Sequence, residues 1–278
     1  MSEGRVAISP KGTEDRHERL AGVLDSYQSR GRYVITRDEA QVALGGSAEA
    51  LKKAVQRLVA KQRLVVPRRG FFVIVPIEYL HAGAPPPSWY IDDMMRYCGR
   101  QYYVSLLTAA ALHGAAHHQP QEFQVVTDSQ LRGLTVGRAR IRFFRKLRVE
   151  KTPSTDVKTE TGTMRVATPE ATALDLFRYV KGSGRLGHIA TVLAELAEKM
   201  EAKRLLAAAI VEGDQTKAQR LGHVLDAVGE SSVTPLLASW IAETQPPFTP
   251  LRPDRPSRLA ARDDRWRVLV NESVEAET

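Results

Sequence analysis

The sequence predicts an α+β protein in two parts, and three observations point there. Before residue 80, helical patterns separated by turn signals lead into a pair of strand-like runs. At 81–88 the chain reads His-Ala-Gly-Ala-Pro-Pro-Pro-Ser, and three consecutive prolines cannot join a helix or a sheet interior. Beyond it, strand-like runs give way to a long series of helical patterns. With 278 residues, at roughly 100–200 residues per domain, two domains are expected. The expected division is 1–80, a linker at 81–88, and 89–278.

Each element of the first part has a local cause. Residues 1–12 read as a loose tail. Over 15–29, Leu20, Val23, Leu24 and Tyr27 recur at helical spacing, and Gly31 ends the helix. Tyr33, Val34 and Ile35 form a short extended run. Thr36-Arg37-Asp38-Glu39 is a capping box, with the Thr36 hydroxyl facing the Glu39 N–H and the Glu39 carboxylate reaching back. A two-turn helix then runs to Leu44. Gly45 and Gly46 break it, and Ser47 caps the next helix, expected over 48–62. Leu64-Val65-Val66, the turn Pro67-Arg68-Arg69-Gly70, and Phe71-Phe72-Val73-Ile74-Val75 predict a hairpin. Helix, strand, helix, turn, helix, hairpin is the order of a winged helix-turn-helix.

Charge singles out the third helix and the hairpin. The chain carries a net charge of +8. Residues 50–77 hold Lys52, Lys53, Arg57, Lys61, Arg63, Arg68 and Arg69 with no acid among them, which is the footprint of a polyanion partner. At about 100° per residue, Leu51, Val55, Leu58 and Gln62 share one stripe, flanked by Ala54 and Val59. Lys52, Lys53, Gln56 and Arg57 take the other side. A dry face opposite long donor-rich side chains suits a helix lying in the major groove. The expected contacts are Ser47, Lys52, Lys53, Gln56, Arg57 and Lys61, with Arg68 and Arg69 thrust out on the hairpin turn toward the minor groove. Glu49 complements the positive helix end.

The second part is read as mixed α and β. Helices are expected at 90–97 and 105–113, strands at 122–127, 139–144 and 163–167. Thr168-Pro169-Glu170 opens a helix to Tyr179, with a capping hydroxyl, a proline in the first turn and a carboxylate on the dipole. Helices follow at 187–200, 202–212, 216–228 and 234–243. Prolines 246, 247, 250, 253 and 256 precede a last strand, 265–271, in which Trp266, Val268 and Val270 alternate with Arg267 and Leu269.

Several marks, in this order, resemble those of the AbiEi-type antitoxins of type IV (abortive-infection) toxin–antitoxin systems. They are Pro67-Arg68-Arg69-Gly70-Phe71-Phe72-Val73-Ile74-Val75-Pro76; Tyr102-Tyr103-Val104-Ser105-Leu106-Leu107 running into Ala109-Ala110-Ala111-Leu112-His113-Gly114; Pro120-Gln121-Glu122-Phe123-Gln124-Val125-Val126; Ala167-Thr168-Pro169-Glu170-Ala171-Thr172; and Trp266-Arg267-Val268-Leu269-Val270-Asn271. The resemblance covers nearly the whole chain. It implies an N-terminal winged helix-turn-helix that represses its own operon by binding inverted repeats; two subunits are expected to occupy two half-sites. It also implies a C-terminal domain that counteracts a nucleotidyltransferase-like toxin, in a class described as acting without a tight complex.

Other chemistry is weighed against this. Arg138, Arg140 and Arg142 alternate along a strand and Arg145 and Lys146 follow, a candidate second basic surface. His113, His117 and His118 lack interleaved Cys or carboxylate ligands, so no metal is expected. Asp156-Val157-Lys158 matches half of a nuclease signature, with Asp128 upstream. Gly182-Ser183-Gly184 follows a helix rather than a strand, so it caps and turns instead of cradling phosphate. Cys98, the single cysteine, excludes a disulfide framework and is expected to be partly buried. No apolar run approaches the ~20 residues of a membrane span, and residues 1–30 hold no signal-peptide core; the expected location is the cytoplasm. The residues predict no cofactor and no catalytic set. The alternative is a winged-helix transcriptional regulator with a ligand-sensing or nuclease-like C-terminal domain.

Overall fold

The computed structural model describes residues 11–115 and 120–275. In chain order the elements are α1 (Lys11–Gln28), β1 (Val34–Thr36), α2 (Arg37–Leu44), α3 (Ala48–Ala60), β2 (Leu64–Arg68), β3 (Phe71–Ile74), α4 (Ile91–Tyr97), β4 (Tyr102–Val104), α5 (Leu106–Leu112), β5 (Phe123–Thr127), β6 (Leu134–Val136), β7 (Ala139–Arg145), β8 (Ser154–Thr159), β9 (Gly162–Ala167), α6 (Pro169–Arg178), α7 (Val180–Ser183), α8 (Leu186–Ala197), α9 (Ala202–Glu212), α10 (Gln215–Ala227), α11 (Pro235–Thr244), β10 (Thr249–Pro250), β11 (Ala261–Asp263) and β12 (Val268–Val270). The α+β expectation holds. Of the expected tail at 1–12, residues 1–10 lie outside the described residues and Lys11 and Gly12 belong to α1.

The chain forms two compact units. The first comprises 1–99 with 133–141 and 158–163; the second comprises 100–132, 142–157 and 164–278. The expected linker at 81–88 therefore falls inside the first unit. There Trp89 packs against Tyr33 and Tyr79, with ring centroids 4.8 and 5.2 Å apart.

In the first unit α1, α2 and α3 enclose a core of Leu20, Leu24, Ala40, Leu44, Leu51, Ala54 and Leu58, closed by Ile35, Leu64, Phe72 and Ile74 from the strands. The sheet is antiparallel in the order β1-β3-β2. The capping box is formed: Thr36 N–H donates to Glu39 Oε2 at 2.8 Å, and Glu39 N–H to Thr36 Oγ1 at 3.4 Å. Gly45, left-handed at φ 63°, caps α2. Two local expectations are corrected. Gln62 is not part of the dry stripe: α3 ends at Ala60, and Gln62 turns out to solvent with φ 55°. The hairpin turn is only Arg69 and Gly70, because Pro67 and Arg68 belong to β2. A one-residue register shift between Val65 and Arg68 accommodates Pro67, which has no N–H to give to the ladder.

A six-stranded mixed sheet has the order β6-β7-β5-β4-β9-β8. The strands β4, β6 and β8 are not among those the sequence predicts. β8 is a polar edge strand, which carries little apolar patterning, and β6 and β4 are three residues long, too short to show a period. The core of the second unit runs from Tyr103 and Leu106 through α6, α8, α9, α10 and α11 to Trp266 and Val268. Thr168 Oγ1 accepts from Ala171 N–H, as expected of a cap. The closing strand is shorter than expected: only 268–270 pairs, because Arg267 takes φ 54°. Trp266 instead lies against α10, where a Cβ on Gly222 would strike its ring, and donates from Nε1 to Asp226 Oδ2 at 2.7 Å.

Candidate nucleic-acid interface

The geometry of α3 follows from its sequence. Ser47 caps it, its Oγ accepting from Ala50 N–H at 3.2 Å, and the residue is exposed. Leu51, Ala54 and Leu58 are buried and Val55 is half-buried, a stripe set by the 3.6-residue period. Lys52, Lys53, Gln56, Arg57 and Lys61 are all exposed. The contact of Lys53 Nζ with Glu49 Oε1, at 3.5 Å, joins two largely exposed side chains, and such a pair contributes little in water.

The hairpin presents its arginines unequally. Arg69 is exposed and Arg68 half-buried. Tyr97 Oη donates to the Arg69 carbonyl at 3.3 Å, and the Tyr97 ring lies 5.5 Å from that of Phe71. Gly70 has φ 81°, and a Cβ there would meet the Tyr97 hydroxyl. Backbone freedom and close approach both require glycine at this turn. Between hairpin and helix lies a cleft of about 560 Å³ lined by Lys52, Val55, Gln56, Arg69 and Phe72 among others. The structure thus brings Lys52, Gln56 and Arg69 to one concave surface. Sequence reasoning did not foresee Tyr97, because its contact is made 28 residues away from Arg69.

The candidate second basic surface is corrected at Lys146, which is 7% exposed. Its ammonium lies 3.2 Å from Asp175 and 2.8 Å from Glu212, both buried. Asp175 also accepts from the hydroxyls of Tyr103 and Ser105 at 2.9 and 2.8 Å, and Arg178 pairs with Glu212. Desolvation, reinforced by the nearby Asp175 charge, pushes the Tyr103 phenol well above its ordinary range, so it stays a donor. Arg138, Arg140 and Arg145 are exposed, whereas Arg142 is half-buried beside Glu122 and over the Phe144 ring.

The other weighed residues sit as follows. His113 Nε2 is 2.8 Å from the Ala167 carbonyl, while His117 and His118 lie outside the described residues. Asp156 is exposed on β8, and Cys98 is half-buried. Gly184 has φ 92° at the end of α7. Among the described residues no group of three or more His, Cys, Asp or Glu could hold a metal ion, and no helix is long and apolar enough to cross a membrane.

Within 103–227 the most distinctive sequence marks serve as internal fastenings. Gln124 accepts from Leu107 N–H at 2.9 Å, fixing the start of α5, and donates to the Gly182 carbonyl at 2.7 Å. Tyr103 and Ser105 hold Asp175, and Thr168 caps α6. Residues 103–227 match the family model described as the AbiEi antitoxin C-terminal domain. The chain carries an AbiEi-type antitoxin domain. Such a domain implies a toxin as its counterpart. Of the solved structures, the Rv2827c protein from Mycobacterium tuberculosis is similar, with a TM-score of 0.63 and 17% identity over 94% of each chain. That likeness concerns the fold. No curated protein matches the sequence.

Proposed function

We propose that this protein is an antitoxin that also binds operator DNA at inverted repeats and represses its own operon, counteracting a nucleotidyltransferase-like toxin. The observation that carries the DNA half is the two-faced α3: Leu51, Ala54 and Leu58 are inward, and Lys52, Lys53, Gln56, Arg57 and Lys61 are in solvent beside an exposed Arg69. In this reading α2, the 45–47 turn and α3 form a helix-turn-helix, with the hairpin β2–β3 as its wing. The amino-terminal turns of α3 enter the major groove; Gln56 can pair bidentately with adenine and a lysine with guanine. Ser47 and Arg57 face phosphates, and Arg69, with Arg68 at its base, follows the backbone into the minor groove. Half-sites related by two-fold symmetry seat two subunits. The second basic surface, reduced to Arg138, Arg140, Arg142 and Arg145, adds phosphate contacts.

The antitoxin half rests on the AbiEi domain. Two readouts on the full chain test the proposal. A reporter driven by the upstream promoter is repressed by wild type and derepressed by Lys52→Ala with Lys53→Ala. Growth arrested by the protein of the neighbouring reading frame is restored by co-expression of either form. Repression of unrelated promoters to the same degree refutes operator recognition; failure of both forms to restore growth refutes antitoxicity toward that neighbour.

A further inference from the structure

The second unit holds a cavity that the proposed function leaves unused. It measures about 510 Å³, within the usual range for a small-molecule site, and is flanked by Arg142, Arg178, Lys217 and Arg220 together with Phe144 and Tyr179. Among the described residues no acidic side chain lines it.

The four cations differ in how they are satisfied. Arg142 leans on Glu122 at 3.3 Å, Arg178 on Glu212 and Lys217 on Asp214. Among the described residues Arg220 contacts only neutral acceptors: Nε donates to the Pro250 carbonyl and Nη2 to Thr249 Oγ1, each at 2.9 Å. A partly buried guanidinium without a contacting carboxylate leaves a positive field in the cavity. Burial pulls Arg220 below the usual guanidinium range, and Asp214, engaged by Lys217 and Thr216, offsets this only in part. The group stays charged at neutral pH because arginine deprotonates far above it. A guanidinium held with donors to spare is suited to a phosphate.

The aromatic side completes the site. Phe144 and Tyr179 pack at 5.0 Å between centroids with a tilt of 48°. The Arg142 guanidinium sits 4.9 Å above the Phe144 ring, and Tyr179 Oη donates to the Arg145 carbonyl at 2.8 Å, which fixes the pair in place. Rings held beside a cationic cluster offer an aromatic face to a base and charge to its phosphate, the combination that binds bases in strand-binding proteins.

We propose that this cavity binds a nucleotide, its phosphate on Arg220 and Lys217 and its base along the Phe144–Tyr179 pair with Arg142 at the mouth. The ligand's source is either a free mononucleotide or one residue of a single-stranded RNA. The proposal is independent of DNA binding through α3.

Calorimetric titration of the full-length protein tests it, with AMP, adenosine, inorganic phosphate and a five-residue oligoadenylate as probes. AMP or the oligomer is expected to bind, with adenosine and phosphate at least tenfold weaker. Binding of AMP as tight as the oligomer's assigns a free nucleotide; binding of the oligomer alone assigns RNA. Arg220→Gln is expected to weaken the better probe at least tenfold, and Arg142→Gln, at the more open edge, several-fold. Should Arg220→Gln melt early, Arg220→Lys, which keeps the charge and loses the fork, and Arg142→Gln carry the decision. No binding by AMP or oligomer, equal binding by phosphate, or wild-type affinity in the folded variants overturns the site. Promoter DNA binding by the Arg220 variants, measured by gel-shift, is expected to equal that of wild type, which separates this failure from failure of the α3 reading.

Discussion

Lys52 and Lys53 on α3 and Lys146 after β7 are the same side chain put to opposite uses. The first two stand in solvent, and Glu49, the single acid on α3, reaches Lys53. Lys146 is enclosed with Asp175 and Glu212, whose charges it balances along with Arg178. Exposed cations add almost nothing to folding and remain available to an external anion. An enclosed cation is committed to the fold, since removing it leaves carboxylates buried without a counter-charge. Basic residues in sequence therefore become a binding surface only where the fold withholds internal acids from them.

The largest effect is expected at the enclosed end of this comparison. Lys146→Ala leaves the buried Asp175 without its cation and Glu212 with Arg178 alone, and is expected to cost about 3–5 kcal/mol of stability in denaturant unfolding; a loss below about 1 kcal/mol makes Lys146 a surface residue in solution. Next comes the dry face of α3: Leu58→Ala is expected to cost about 2–5 kcal/mol, read as a lowered melting temperature. Ser47→Ala removes the α3 cap and is expected to cost about 1 kcal/mol, with weaker promoter binding if the hydroxyl also faces a phosphate. The smallest change is in pH dependence. Burial raises the Glu39 carboxyl, but hydrogen bonds from Arg32 and Thr36 outweigh it and hold the group below the usual carboxylate range. A depressed folded value means that its stabilisation is present above the unfolded glutamate value and is lost as pH falls through the folded one. Wild type is accordingly expected to lose stability on acidification below the glutamate range, and Glu39→Gln to show a flatter acid limb; identical limbs remove Glu39 from the account.

What could be read in the sequence was local. The Thr36–Glu39 box, the Gly45 break, the Ser47 and Thr168 caps and the alternation of faces on α3 each depend on residues within a turn or two, and all are present. The errors lie where distant chain decides. Asp175 and Glu212 reach Lys146 from α6 and α9, so strand alternation could not reveal that it is interior. Pro67 reads as a turn until its partner strand shows the ladder shifting by one residue to pass it. Trp266 fits a strand pattern, yet Gly222 on α10 makes room for its ring. The candidate α3 contacts were legible because solvent, not a distant element, is their neighbour; Tyr97 beneath the Arg69 turn was not.

The most direct test of the α3 surface is the salt dependence of binding to the upstream promoter DNA, wild type against Lys52→Ala with Lys53→Ala. The account predicts that the double variant melts within about 0.5 kcal/mol of wild type. It also predicts weaker binding, with a log–log salt slope shallower by about one unit for each phosphate that a lysine no longer neutralises. Equal affinity and equal slope in a fully folded variant would contradict it.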